Sequence, residues 1–155
     1  MHSLVEHIKS YFGIVLLSLF FSMVGTHSIA DQSVEEIIKG RKALFSKNYS
    51  TAKRVQSLSS NGDFDKAKEL MIEMSENYKT LLELFPENTQ KGYKTESLPL
   101  IWQEKEAFNS LMQKSSDNMI KLTSVIEESD DIRATLREFM WSSCKACHSK
   151  YRMPH

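Results

Sequence analysis

The sequence has little from which to build turns or sheets. Its 155 residues hold only five glycines and three prolines, so tight turns are few and long helices are favoured. No stretch shows the polar-apolar alternation of a half-buried strand. An excess of charge of either sign is also lacking. Lys plus Arg and Asp plus Glu are 20 each, which removes the electrostatic argument for nucleic acid or an anionic membrane surface. After residue 31 there is no repeat, low-complexity segment or Gly/Ser linker. Cysteine is scarce too: two residues, Cys144 and Cys147, both near the C-terminus.

What is present begins with an apolar leader. A short polar segment, MHSLVEHIKS, carries Lys9 opposed by Glu6, and YFGIVLLSLFFSMVG follows as a nearly unbroken apolar run. That run is shorter than the roughly 20 residues of a membrane span. Ser28 and Ala30 then occupy the small positions of a cleavage site. Residues 1–30 read as a secretory signal peptide and residues 31–155 as one exported, periplasmic domain with no membrane span after cleavage. An uncleaved anchor is the alternative, and it too exports the domain. Of the five histidines, His148 and His155 lie outside this leader.

Four apolar-periodic segments follow. The first runs from about Ser33 to Ser59, and Asn61-Gly62-Asp63 stops it and caps the next. The second places Phe64, Ala67, Met71, Met74, Tyr78, Leu81 and Phe85 on one helical stripe, ended by Pro86. FPENTQKGYKTESLP is the one long connection. The third helix starts near Pro99 and carries Ile101, Phe108, Met112, Ser115, Met119, Leu122 and Ile126. Ser129-Asp130-Asp131 caps a fourth, with Ile132, Leu136, Phe139 and Met140 before the cysteines. The expectation is an all-α, antiparallel four-helix bundle. A three-helix bundle with a split helix is the weaker alternative. The methionines on these stripes read as core filling.

The cysteines sit in Ser143-Cys144-Lys145-Ala146-Cys147-His148. A thioredoxin-like site needs a βαβ setting, which the pattern lacks. Structural zinc needs four ligands, and the domain offers two cysteines and two histidines in one terminal stretch. A disulfide across so small a loop would stabilise little. Covalent haem accounts for all three residues of C-x-x-C-H. On a helix, Cys144 and Cys147 share a face and reach the two vinyl groups of one porphyrin, while His148 points its imidazole at the iron. The motif lies seven residues from the end, so a second protein ligand to the iron must come from an upstream helix.

These features resemble the cytochrome c-prime family, c-type cytochromes built as four-helix bundles. The likeness covers nearly the whole exported domain. It is strongest in CKACHSKYR, Cys144 to Arg152, and extends through Phe85-Pro86, Thr89, Gly92, Thr95, Leu98-Pro99, Ile101-Trp102 and Phe108, and through Arg41 to Phe45 on the first helix. The resemblance implies one haem c, held by two thioether bonds from Cys144 and Cys147, with His148 as the iron ligand. It also implies Arg41 near a haem propionate, Phe45 over the open iron face, Trp102 near the haem edge and Arg152 beside the ligand histidine.

Phe45 carries the functional expectation. Low-spin relatives bind the iron with Met at this position, and Phe cannot ligate. The expectation is a five-coordinate, high-spin haem that binds NO or CO, transfers single electrons, or does both, and is not an enzyme. With no distal His, NO and CO should be favoured over dioxygen or anions. The alternative is a low-spin, six-coordinate electron carrier of the same fold, with Tyr49 or a methionine as sixth ligand. The family often pairs through its first two helices, so a homodimer is also expected. The redox partner protein is not identified by the sequence.

Overall fold

A computed structural model describes residues 32–154, so the expected signal segment lies outside the described residues. Helix α1 is Val34–Ser60, α2 Phe64–Leu82, α3 Leu100–Gln103, α4 Lys105–Val125, α5 Ile132–Leu136 and α6 Ser142–Tyr151. A π turn, Arg137–Trp141, joins α5 to α6. Two of the four rods are therefore composite: α3–α4, interrupted at Glu104 (φ −121°, ψ 46°), and α5–π–α6. None of the described helices is long and apolar enough to cross a membrane.

Local chemistry sets the ends. Ser33 opens α1 with a capping box: its Oγ accepts from Glu36 N–H at 3.3 Å, and Glu36 Oε2 accepts from Ser33 N–H at 2.8 Å. At the other end Gly62 adopts φ +78°. That left-handed residue lets Gly62 N–H reach the Ser59 carbonyl at 3.2 Å and Asp63 N–H reach the Leu58 carbonyl at 3.0 Å. Asp63 stands at the start of α2, yet its carboxylate pairs with Lys66 Nζ at 2.7 Å and caps no backbone group. Asp131 does cap, accepting from Ala134 N–H at 2.9 Å. Helix α2 ends at Leu82, four residues ahead of Pro86.

Cross-helix pairs fix an antiparallel register. Between α1 and α2, Lys47 pairs with Glu73 at 2.6 Å and Asn77 Nδ2 donates to Asn48 Oδ1 at 2.8 Å. Between α2 and α4, the hydroxyls of Ser75 and Ser116 bond at 2.7 Å, and Lys68 meets Glu127, just past the end of α4, at 2.5 Å. Between the third rod and α6, Asn118 Nδ2 donates to Ser143 Oγ at 3.0 Å, and Tyr151 donates to Glu104 at 3.1 Å. All seven residues of the third stripe are buried. Met71, Met74, Met112, Met119 and Met140 are each at most 1% exposed and fill the same core.

The buried face of α1 is unusual in one respect. Ile37, Ile38, Ala52 and Val55 are apolar, but Arg41 and Asn48 share that stripe and are 1% and 4% exposed. Burying such groups is costly unless they find partners.

Candidate functional site

The motif occupies most of α6. Cys144 and Cys147 are both free and half-buried, one turn apart on one face. Cys147 packs against the core. Burial pushes both thiols up, Cys147 to about 11. The hydroxyl of Tyr78, on α2, lies 3.9 Å from Cys144 Sγ. Burial first, then Cys144, raises the pKa of Tyr78 well beyond the ordinary phenol value, and Asn48 stands close enough to oppose that shift. His148 is exposed on the next position of α6.

Both ends of α6 are anchored. Ser143 Oγ donates to the Phe139 carbonyl at 3.0 Å while accepting from Asn118. Ser142 Oγ bonds the Glu138 carbonyl across the π turn. Beyond His148, Tyr151 donates to Glu104, Lys150 meets the same carboxylate at 2.5 Å, and the Tyr151 carbonyl accepts from Leu98 N–H at 3.0 Å. Arg152, one turn past His148, bonds Glu96 through Nε at 2.8 Å and a terminal nitrogen at 2.7 Å. The last turn of α6 is thereby stitched to the end of the long connection.

Arg41, Phe45 and Trp102 gather around Phe85. The guanidinium carbon lies 4.6 Å from the Phe85 ring centroid and 5.7 Å from that of Trp102. Phe45 meets Phe85 edge-on at 6.3 Å, and Phe85 meets Trp102 at 5.9 Å. Trp102 Nε1 donates to the carbonyls of Phe85 and Pro86, both at 3.1 Å. From Phe85 the ring contacts continue to Phe108 at 4.8 Å and to Tyr151 on α6 at 5.2 Å. An aromatic chain thus runs from the half-buried Phe45 on α1 to the motif helix.

Arg41 is also a clamp. Its two terminal nitrogens donate to the Leu84 carbonyl (3.3 Å), Thr89 Oγ1 (2.9 Å), the Thr89 carbonyl (2.9 Å) and Thr95 Oγ1 (2.7 Å). These bonds hold the connection where Gly92, Tyr93 and Lys94 all take positive φ, 96°, 48° and 54°. For the two non-glycine residues that conformation is strained. Burial lowers the Arg41 pKa to about 10, so it stays a cation at neutral pH. A propionate contact would have to use Nε or replace one of these bonds.

Reading the sequence alone did not single out Asn48, and it took Tyr78 only as core. Both fall at helical spacing within apolar stripes, and polarity on a buried stripe was the available signal. A hollow of about 780 Å³ lined by Leu82, Phe85, Lys105, Asn109 and Gln113 contains none of the candidate residues, though Phe85, around which three of them gather, forms part of its wall.

The donor set suits covalent haem. Two half-buried thiols share a helical face, an imidazole follows at once, and Asn48 Nδ2 is buried without a hydrogen-bond partner. A haem anchor at the end of a four-helix bundle defines a class, the bundle-type c-type cytochromes. Residues 36–152 match the family model described as Cytochrome C'. A cytochrome c' of Rhodopseudomonas palustris is 25% identical over 143 residues, covering 90% of this chain and 91% of the relative. The cytochrome c' structure from Rubrivivax gelatinosus is 26% identical, with a TM-score of 0.66 over 78% of this chain and 98% of that one. A nitric oxide complex of a cytochrome c' variant from Alcaligenes xylosoxidans has the same fold at 24% identity, with a TM-score of 0.66 over 79% of this chain and 98% of that one. The chain belongs to the cytochrome c' family, and its cofactor is a covalently attached haem c.

Proposed function

We propose that this protein is a periplasmic haem protein with a five-coordinate, high-spin iron that binds NO and CO, and that it also passes single electrons. In this reading Cys144 and Cys147 form the two thioether bonds and His148 is the one protein ligand. Phe45 covers the opposite face. The haem supplies an open coordination position and a one-electron couple; everything else is supplied by the chain.

The observation that carries the reading is Phe45. It is half-buried on the inward side of α1 and leans edge-on against Phe85; in this reading that ring, which has no ligating atom, occupies the side from which a sixth ligand would have to come. Phe85 is fixed from behind by the Arg41 guanidinium and by Trp102. The ring therefore closes the face by packing, and a small gas enters by displacing it. Trp102 and Arg41 shape the haem edge, and Arg152 keeps the turn after His148 pinned to Glu96. The relative from Alcaligenes xylosoxidans has been captured with nitric oxide, including in a ferrous variant, which supports a gas ligand here.

Tyr49 weighs against a low-spin alternative. It is 56% exposed and packs edge-on against Trp141 at 6.4 Å, and Met71 is fully buried in the core. The absorption spectrum of the ferrous protein tests the proposal: a high-spin spectrum that converts on adding CO supports it, and a six-coordinate low-spin spectrum at neutral pH refutes it.

A further inference from the structure

Asn48 lies three residues after Phe45 on the buried side of α1, which brings the two side chains onto neighbouring positions of one helical face. Its amide is held from one side only. Oδ1 accepts from Asn77 Nδ2 at 2.8 Å, and Nδ2 has no hydrogen-bond partner although the residue is only 4% exposed. Buried donors are almost always satisfied, so an unsatisfied one calls for a reason. Two other buried side-chain atoms among the described residues share this condition, Ser59 Oγ and Asn109 Oδ1. Of the three, Asn48 is the one whose neighbours are Tyr78 and, through Tyr78, Cys144.

The pinning matters. With Oδ1 committed to Asn77, the amide cannot turn to satisfy its own N–H groups. It is a desolvated donor with no partner in good hydrogen-bond geometry, and the Tyr78 phenol is the polar group that stands beside it. Family membership puts the haem against the motif cysteines, and Tyr78 places the Asn48 amide next to them. Phe45 places the same helical face over the open iron position.

We propose that Asn48 Nδ2 donates a hydrogen bond to a diatomic ligand held on the Phe45 side of the haem. This rests on the reading above, in which that side is the ligand side. It changes the expected selectivity. A purely apolar pocket gives no advantage to a ligand that gathers negative charge at its outer atom; a fixed N–H donor does. Dioxygen and NO gain more from it than CO. One such bond prolongs ligand residence by about two- to tenfold.

The infrared stretch of the ferrous CO complex reads the donor directly, because a hydrogen bond to the outer atom lowers the C–O frequency. In Asn48→Leu the band should move up, and NO should leave about two- to tenfold faster than from wild type. In Tyr78→Phe, which keeps the Asn48 amide, the band should move less than in Asn48→Leu. The wild-type band should also shift in deuterated buffer, a measurement that needs no variant if Asn48→Leu folds poorly. A band unmoved in both Asn48→Leu and deuterated buffer overturns the inference while leaving the gas-binding reading standing. A band that moves in Tyr78→Phe and not in Asn48→Leu overturns it in favour of the tyrosine. Failure to form a CO complex at all refutes the gas-binding reading itself, and the inference with it.

Discussion

Arg41 sits on the first helix and Thr89 in the connection 48 residues later, and the first grips the second twice, at Oγ1 and at the carbonyl, both at 2.9 Å. That grip determines where Phe85 stands, and Phe85 is the ring against which Phe45 rests. The connection is therefore part of the site's architecture.

Replacing Arg41 tests this. Arg41→Met keeps the stem and removes the donors, leaving the Leu84 and Thr89 carbonyls without their partner. The expected loss of stability is roughly 3 kcal/mol, read by urea unfolding of the holoprotein. Arg41→Lys should recover less than half of it, since an ammonium cannot reproduce the two-pronged geometry.

On the proposed reading, Phe45→Ala opens the iron's free face. The half-buried ring contributes less than a fully buried one, so stability should fall by about 2 kcal/mol or less. CO association, followed after flash photolysis, should accelerate. Phe45→Met is the sharper substitution, because it offers the iron a thioether; the ferric spectrum should turn low-spin.

Tyr78 makes stability depend on alkaline pH. Its folded value is raised above all by burial, so the folded state favours the neutral phenol. That contribution is fully present below the unfolded tyrosine value of about 10 and is lost as pH rises through the higher folded value. Unfolding free energy should fall above pH about 10. Tyr78→Phe should flatten that fall, as denaturant titrations at several pH values would show.

Cys144→Ser and Cys147→Ser should each leave haem attached by one thioether, and the double variant should lose all covalent haem. Denaturing gels stained for haem, with intact-mass measurement, distinguish the three cases.

Much of this was legible in the sequence, and the reasons differ by residue. Every position of the stripe Ile101, Phe108, Met112, Ser115, Met119, Leu122, Ile126 is buried, because periodicity reports burial directly. The same periodicity conceals interruptions. The break at Glu104 and the π turn at Arg137–Trp141 leave the spacing of buried residues almost unchanged: Leu136, Met140, Ser143 and Tyr151 still recur at helical intervals. The cysteine motif announced itself by composition. The role of Arg41 as a clamp did not, since Thr89 and Thr95 lie 48 and 54 residues away and only the folded chain brings them to its guanidinium. Asn48 was hidden for a related reason: a polar residue on an apolar stripe looks like noise until its amide is seen to be buried and half-satisfied.

On the proposed reading, Phe45 closes the iron's open face without binding it. Absorption spectra of the purified holoprotein at neutral pH, ferric, then ferrous, then ferrous with CO, test it most directly. A five-coordinate iron gives high-spin spectra in both oxidation states and a prompt change on adding CO. A low-spin ferrous spectrum that CO leaves unaltered would contradict it.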